Sequence, residues 1–158
     1  MRSLRAALFV CAVAVSPLAA QTRVDLSGKW SIDPTSDQTA LPAGSTMDVT
    51  IKQNEKTVTI DIALDTPNGA QKRSTVVKLD GSPTDNLLTS QQGTVPAMST
   101  ATWEGRALRV MTTVGSRGAV VVQTDKWLLD AEGKTLVLET TVSAGGQQQK
   151  SKLTFIKS

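Results

Sequence analysis

Thr46-Met47-Asp48-Val49-Thr50-Ile51-Lys52-Gln53, then Asn54-Glu55-Lys56, then Thr57-Val58-Thr59-Ile60-Asp61-Ile62-Ala63-Leu64-Asp65 is the stretch that decides the fold. Apolar side chains occupy every second position: Met47, Val49 and Ile51 in the first run, Val58, Ile60, Ile62 and Leu64 in the second. A helix repeats its faces every 3.6 residues and a strand every two, so only strands gather each set on one side. The polar turn between the runs is too short for a crossover, so the two strands pair antiparallel.

The same alternation runs outward in both directions. Leu108 and Val110 flank Arg109, and Leu136, Leu138 and Val142 share a parity opposite to Thr135, Glu139 and Thr141. Turn chemistry separates the runs: Asp65-Thr66-Pro67-Asn68-Gly69, Asp80-Gly81-Ser82-Pro83, Glu104-Gly105, Gly115-Ser116-Arg117-Gly118, Asp130-Ala131-Glu132-Gly133 and Ala144-Gly145-Gly146. Gly and Asn supply positive φ there and Pro presets the bend. Strands are predicted at roughly 26–32, 46–53, 57–65, 71–80, 86–90, 97–104, 107–114, 119–130, 134–143 and 148–157. The fold class is all-β: an antiparallel up-and-down meander closed into a barrel of roughly eight to ten strands, because closure removes exposed edges. Two stretches break the rhythm. Asp33 to Gly44 is a long connection expected to hold a short helical turn or a lid, and Ser90 to Pro96 reads as a polar loop interrupting a strand.

The first twenty residues have another character. Arg2 and Arg5 precede an apolar run, Ala6 to Val15, followed by Ser16-Pro17-Leu18-Ala19-Ala20 and polar Gln21-Thr22-Arg23. A basic head, a short apolar middle and small residues form a secretory signal peptide, with cleavage expected after Ala20 or Ala19. The run is too short to span a bilayer as a helix. A buried N-terminal helix fits Pro17 and the small residues less well. Cys11 follows Val10 rather than a small residue, so it makes no lipid-attachment site and belongs to the signal. Residues 1–20 are therefore read as a signal peptide and 21–158 as a single domain, secreted or periplasmic.

Composition bounds the chemistry. There is no His and no Tyr, and there is one Cys, which falls in the signal. No His-based catalytic relay, intramolecular disulfide or His-rich metal site can be built. The signal removes Arg2 and Arg5 from the 17 basic residues set against 14 acidic ones, so the mature domain is near neutral. It offers no electrostatic footprint for nucleic acid. An outer-membrane barrel would turn Lys52, Asp61, Lys78 and Arg109 toward lipid, without aromatic girdles, so the barrel is not read as membrane-embedded.

The opening Val24-Asp25-Leu26-Ser27-Gly28-Lys29-Trp30-Ser31-Ile32 places Gly-X-Trp in a first strand, at the head of an antiparallel meander. It resembles the calycin superfamily of lipocalins, fatty-acid-binding proteins and avidins. Asp125-Lys126-Trp127-Leu128-Leu129-Asp130-Ala131-Glu132-Gly133-Lys134-Thr135-Leu136 also looks like the small secreted lipocalin-like proteins of bacteria. The resemblance implies a barrel in which Gly28 and Trp30 form a structural plug, with a late basic residue packed on Trp30: Lys150, Lys152 or Lys157. It does not carry a ligand. The Tyr-containing biotin set is missing, and so is the paired-Arg-and-Tyr pattern of fatty-acid-binding proteins.

Parity nominates the interior. If Trp127 and Leu129 point inward, so do Gln123 and Asp125; Leu108 and Val110 bring Thr112, Leu136 and Leu138 bring Thr140, and Val77 and Leu79 bring Thr75 and Arg73. Each strand is then apolar toward one end and polar toward the other, giving a dry plug and a wetter mouth. Arg73, Thr112, Gln123, Asp125, Trp127 and Thr140 are the candidate ligand-binding residues. An inward Asp125 requires a partner, Arg73 being the candidate, unless it lies solvated at the rim. Trp103 and Trp127 are either a stacking wall or ordinary core. No two acids share an interior parity, so no catalytic residues are assigned, and Asp33 and Asp37 read as turn chemistry rather than a calcium site. No metal or cofactor is expected. The function that follows is non-enzymatic binding of a small apolar or amphipathic ligand inside the barrel. The alternative is a filled barrel acting as a structural or protein-interaction module through its loops or an outer stripe of Val120, Val122 and Leu128.

Overall fold

The computed structural model describes residues 23–90, 93–116 and 119–158, so the predicted signal peptide and its cleavage site, and residues 91–92 and 117–118, lie outside the described residues. Ten antiparallel strands make up the fold: β1 (Gly28–Ile32), β2 (Thr46–Gln53), β3 (Thr57–Thr66), β4 (Gly69–Lys78), β5 (Thr84–Ser90), β6 (Gly93–Glu104), β7 (Ala107–Ser116), β8 (Ala119–Leu129), β9 (Thr135–Ala144) and β10 (Gln147–Lys157). They form one sheet in the order β4-β3-β2-β1-β10-β9-β8-β7-β6-β5, each strand beside its chain neighbour except where β1 meets β10. The meander thus curls into a nearly closed barrel, with β4 and β5 facing each other across one seam. No helix among the described residues is long and apolar enough to cross a membrane.

The predicted parities hold. Val49, Ile51, Val58, Ile60, Val77, Leu108, Leu136 and Phe155 are buried, while their immediate chain neighbours are half-buried or exposed in most cases. Two expectations need correction. Gly93 to Pro96 does not interrupt a strand; it is the start of β6, and Leu87 pairs with Pro96. Pro is tolerated there because the β6–β7 ladder begins only at Ala97, so that side of Pro96 has no ladder bond to lose. The Asp33–Gly44 connection contains turns and no helix. Asp33 and Asp37 each accept the backbone N–H two residues ahead, from Thr35 at 2.8 Å and Thr39 at 2.9 Å. Those N–H bonds, then the hydroxyls of the same residues, hold both carboxyls below the usual range.

The seam is closed by a side chain. Asn86 of β5 accepts the Val76 N–H at 2.8 Å and donates to the Val76 carbonyl at 2.9 Å, so its amide takes the place of a peptide group from a neighbouring strand. Asn86→Ala leaves both backbone groups of Val76 without these partners, which costs about 1 kcal/mol net. Hydrogen exchange at the Val76 amide is expected to speed up while protection at Ile51 and Ile60 is retained. Unchanged exchange at Val76 would show that the clip does not hold the seam.

Candidate functional site

One end of the barrel is dry. Leu26, Trp30, Trp127, Leu108, Leu136 and Phe155 are almost wholly buried, and the Trp127 and Phe155 rings lie 6.4 Å apart. Trp30 Nε1 donates to the Leu26 carbonyl at 3.1 Å, and Lys157 Nζ stands 5.3 Å from the Trp30 ring centroid. Of the three candidate lysines, Lys157 takes this place because Trp30 pairs with it across the β1–β10 ladder. Gly28 has φ +150°, and a Cβ there would lie 3.1 Å from Lys157 Cε and 3.4 Å from the indole nitrogen of Trp30. The glycine is what allows the indole and the lysine stem to converge. Gln53 ties the segment before β1 to this end, donating to the Val24 carbonyl at 2.9 Å and accepting the Leu26 N–H at 3.1 Å.

Toward the other end the interior opens into a cavity of about 380 Å³. Met47, Ile62, Leu64, Leu138 and Leu153 form an apolar wall, and Leu41 from the long connection and Leu88 from β5 complete it. Arg73, Gln123 and Thr140 form a polar wall. Asp125 is linked to all three. It accepts Gln123 Nε2 and the Thr140 hydroxyl, both at 2.7 Å, and its Oδ2 lies 3.7 Å from Arg73 Nη2. Arg73 Nη1 also donates to Gln123 Oε1 at 3.4 Å. The Asp125 side chain is 7% exposed and that of Arg73 29%, so the carboxylate is buried and the guanidinium reaches toward the mouth. Of the two places parity left open for Asp125, the structure gives the paired, buried one.

Four of the six candidate binding residues are therefore brought together. Thr112 and Trp127 do not line the cavity. The Thr112 hydroxyl is engaged with Ser99 at 2.9 Å in the buried interior, and Trp127 belongs to the dry end. Trp103 packs half-buried against the core and also stays out of the lining. Parity would have found Met47, Ile62, Leu64, Leu138 and Leu153; nothing in the sequence pointed to Leu41 or Leu88. On the outer face Glu104 lies 3.6 Å from both Arg109 and Lys126, and Glu139 lies 3.8 Å from Lys152, all at exposed side chains.

No family model and no curated protein matches the chain. Solved structures do. Secretory abundant heat soluble protein 4 from Ramazzottius varieornatus is 16% identical, with a TM-score of 0.52 over 84% of this chain and 94% of that one. A secretory abundant heat soluble (SAHS) protein of the same organism is 17% identical, with a TM-score of 0.53 over the same shares. At such identity the likeness is one of fold: the chain forms an up-and-down antiparallel barrel like theirs.

Proposed function

We propose that the protein is a non-enzymatic small-molecule-binding barrel that holds an apolar or amphipathic ligand in its interior. The observation that carries this reading is the cavity of about 380 Å³ with one apolar and one polar wall. Binding pockets are concave, mostly apolar and about 300–1,000 Å³, with a few placed polar groups that orient the ligand. Arg73, Gln123 and Thr140, backed by Asp125, are those groups in this reading. It requires no cofactor. Native mass spectrometry of the protein taken from its own host without detergent is expected to show the chain with one small molecule bound. Bare polypeptide, together with no uptake of N-phenyl-1-naphthylamine by the purified protein, would contradict it.

Export belongs to the same reading. The solved neighbours are described as secretory, and every strand of this barrel lies after the predicted cleavage site. The mature N-terminus is expected at Gln21, or at Ala20 if cleavage follows Ala19, in protein from the periplasm or medium. An intact N-terminal Met in that fraction would contradict it.

One observation favours a second reading, contact through the outer face. Leu87, Met98 and Val120 are 66%, 51% and 61% exposed, and β5 to β8 present them on one side of the sheet. The cavity weighs against the filled-barrel form of that alternative, but the patch itself is independent of the interior.

A further inference from the structure

We infer that the polar wall of the cavity selects an uncharged head group, a hydroxyl or carboxamide, over a carboxylate or an amine; this rests on the interior-binding reading above. Arg73 is the cation of this wall, and its matching anion lies buried behind the lining: Arg73 Nη2 is 3.7 Å from Asp125 Oδ2. Asp125 also accepts Gln123 Nε2 and the Thr140 hydroxyl, both at 2.7 Å, one on each carboxylate oxygen. Its carboxylate also fixes the Gln123 amide, since only the amide's N–H₂ can donate to it. Gln123 Oε1 is thereby turned toward Arg73, which donates to it at 3.4 Å.

The groups left for a ligand follow from this wiring. Arg73 has five N–H donors and uses few of them. Gln123 Oε1 retains a lone pair, and Thr140 Oγ, whose proton goes to Asp125, is available as an acceptor. The wall therefore offers donors and acceptors side by side, which suits a group that does both. A carboxylate head would put a second anion on a guanidinium already matched by Asp125, leaving one uncompensated negative charge in a largely apolar space. An ammonium head would meet the like charge of Arg73, with Asp125 out of the lining behind Gln123 and Thr140, which already donate to it. Lys72 also borders the cavity, but it is exposed at the rim, where water screens its charge.

The test uses the full mature chain loaded with N-phenyl-1-naphthylamine, an uncharged dye, and displaces it with 1-decanol, decanoate and decylamine at neutral pH. Decanol is expected to displace the dye at a concentration at least tenfold lower than either ion. Asp125→Asn removes the anion and frees Arg73, so decanoate should overtake decanol. Arg73→Gln leaves the buried Asp125 carboxylate beside the cavity without its cation, so decylamine should overtake decanol; this second variant covers the case in which Asp125→Asn does not fold. Decanoate or decylamine binding the unaltered protein most tightly, or preferences that neither variant shifts, would overturn the head-group inference and leave interior binding standing. Dye that binds but is displaced by none of the three overturns it too, and a protein that takes up no dye refutes the interior reading beneath it.

Discussion

Replacing Trp30 with alanine is expected to remove about 3–5 kcal/mol of stability, the usual cost of truncating a large aromatic in a packed core. The indole is 1% exposed and sits where β1, β10 and the segment before β1 converge. Its loss empties the dry end, strips the Leu26 carbonyl of its 3.1 Å donor and leaves Lys157 with no ring to cover. Domains of this size have about 5–15 kcal/mol in total, so the variant should be marginally folded or unfolded. Urea denaturation followed by far-UV circular dichroism measures it. Trp30→Phe keeps a ring and loses the hydrogen bond to Leu26, so it should fall between the two. A cost below about 1 kcal/mol for alanine would mean that the plug does not organise the barrel.

Leu64→Trp is expected to separate binding from folding. Leu64 is half-buried on the apolar wall, paired with Met47 on one side and Gln71 on the other, near the β3–β4 turn. A strand accepts an aromatic at a half-buried position readily. The longer side chain reaches across the open end of the cavity, where a ligand would pass. Affinity for 1-decanol should fall at least thirtyfold, about 2 kcal/mol, while the urea midpoint stays close to that of the unaltered chain. Undiminished affinity in a folded L64W protein would place the ligand elsewhere than in this cavity.

How much of this was legible in the sequence depends on what period two can carry. It gave all ten strands and the inward set, because alternation and turn residues are local and agree along the whole chain. It also marked Asp125 and Arg73 as inward residues in need of a partner, since a buried carboxylate is expensive wherever it sits. It could not give height along the barrel axis. Nor could it give an inward hydroxyl's partner: Thr112 is paired with Gln123 and Thr140 with Asp125, yet Thr112 bonds Ser99 while Thr140 bonds Asp125 and lines the cavity. Asn86 stands at the start of the predicted strand 86–90, with nothing local to single it out. Its role emerges only when curling brings β4 and β5 together, and no local pattern encodes that meeting. Leu41 was invisible for a related reason: its place on the apolar wall is set by the path of an irregular connection, held by turn bonds such as Leu41 N–H to the Gln38 carbonyl at 2.8 Å. Whether the interior is hollow depends on summed side-chain volumes around a closed sheet, which parity does not count.

The central claim, that the ligand lies inside the barrel between an apolar and a polar wall, is tested most directly by NMR on methyl-labelled protein titrated with 1-decanol. Intermolecular NOEs from the decyl chain to the methyl groups of Ile62, Leu64, Leu138 and Leu153 are the predicted result. NOEs confined to Leu87, Met98 and Val120 on the outer face would contradict it.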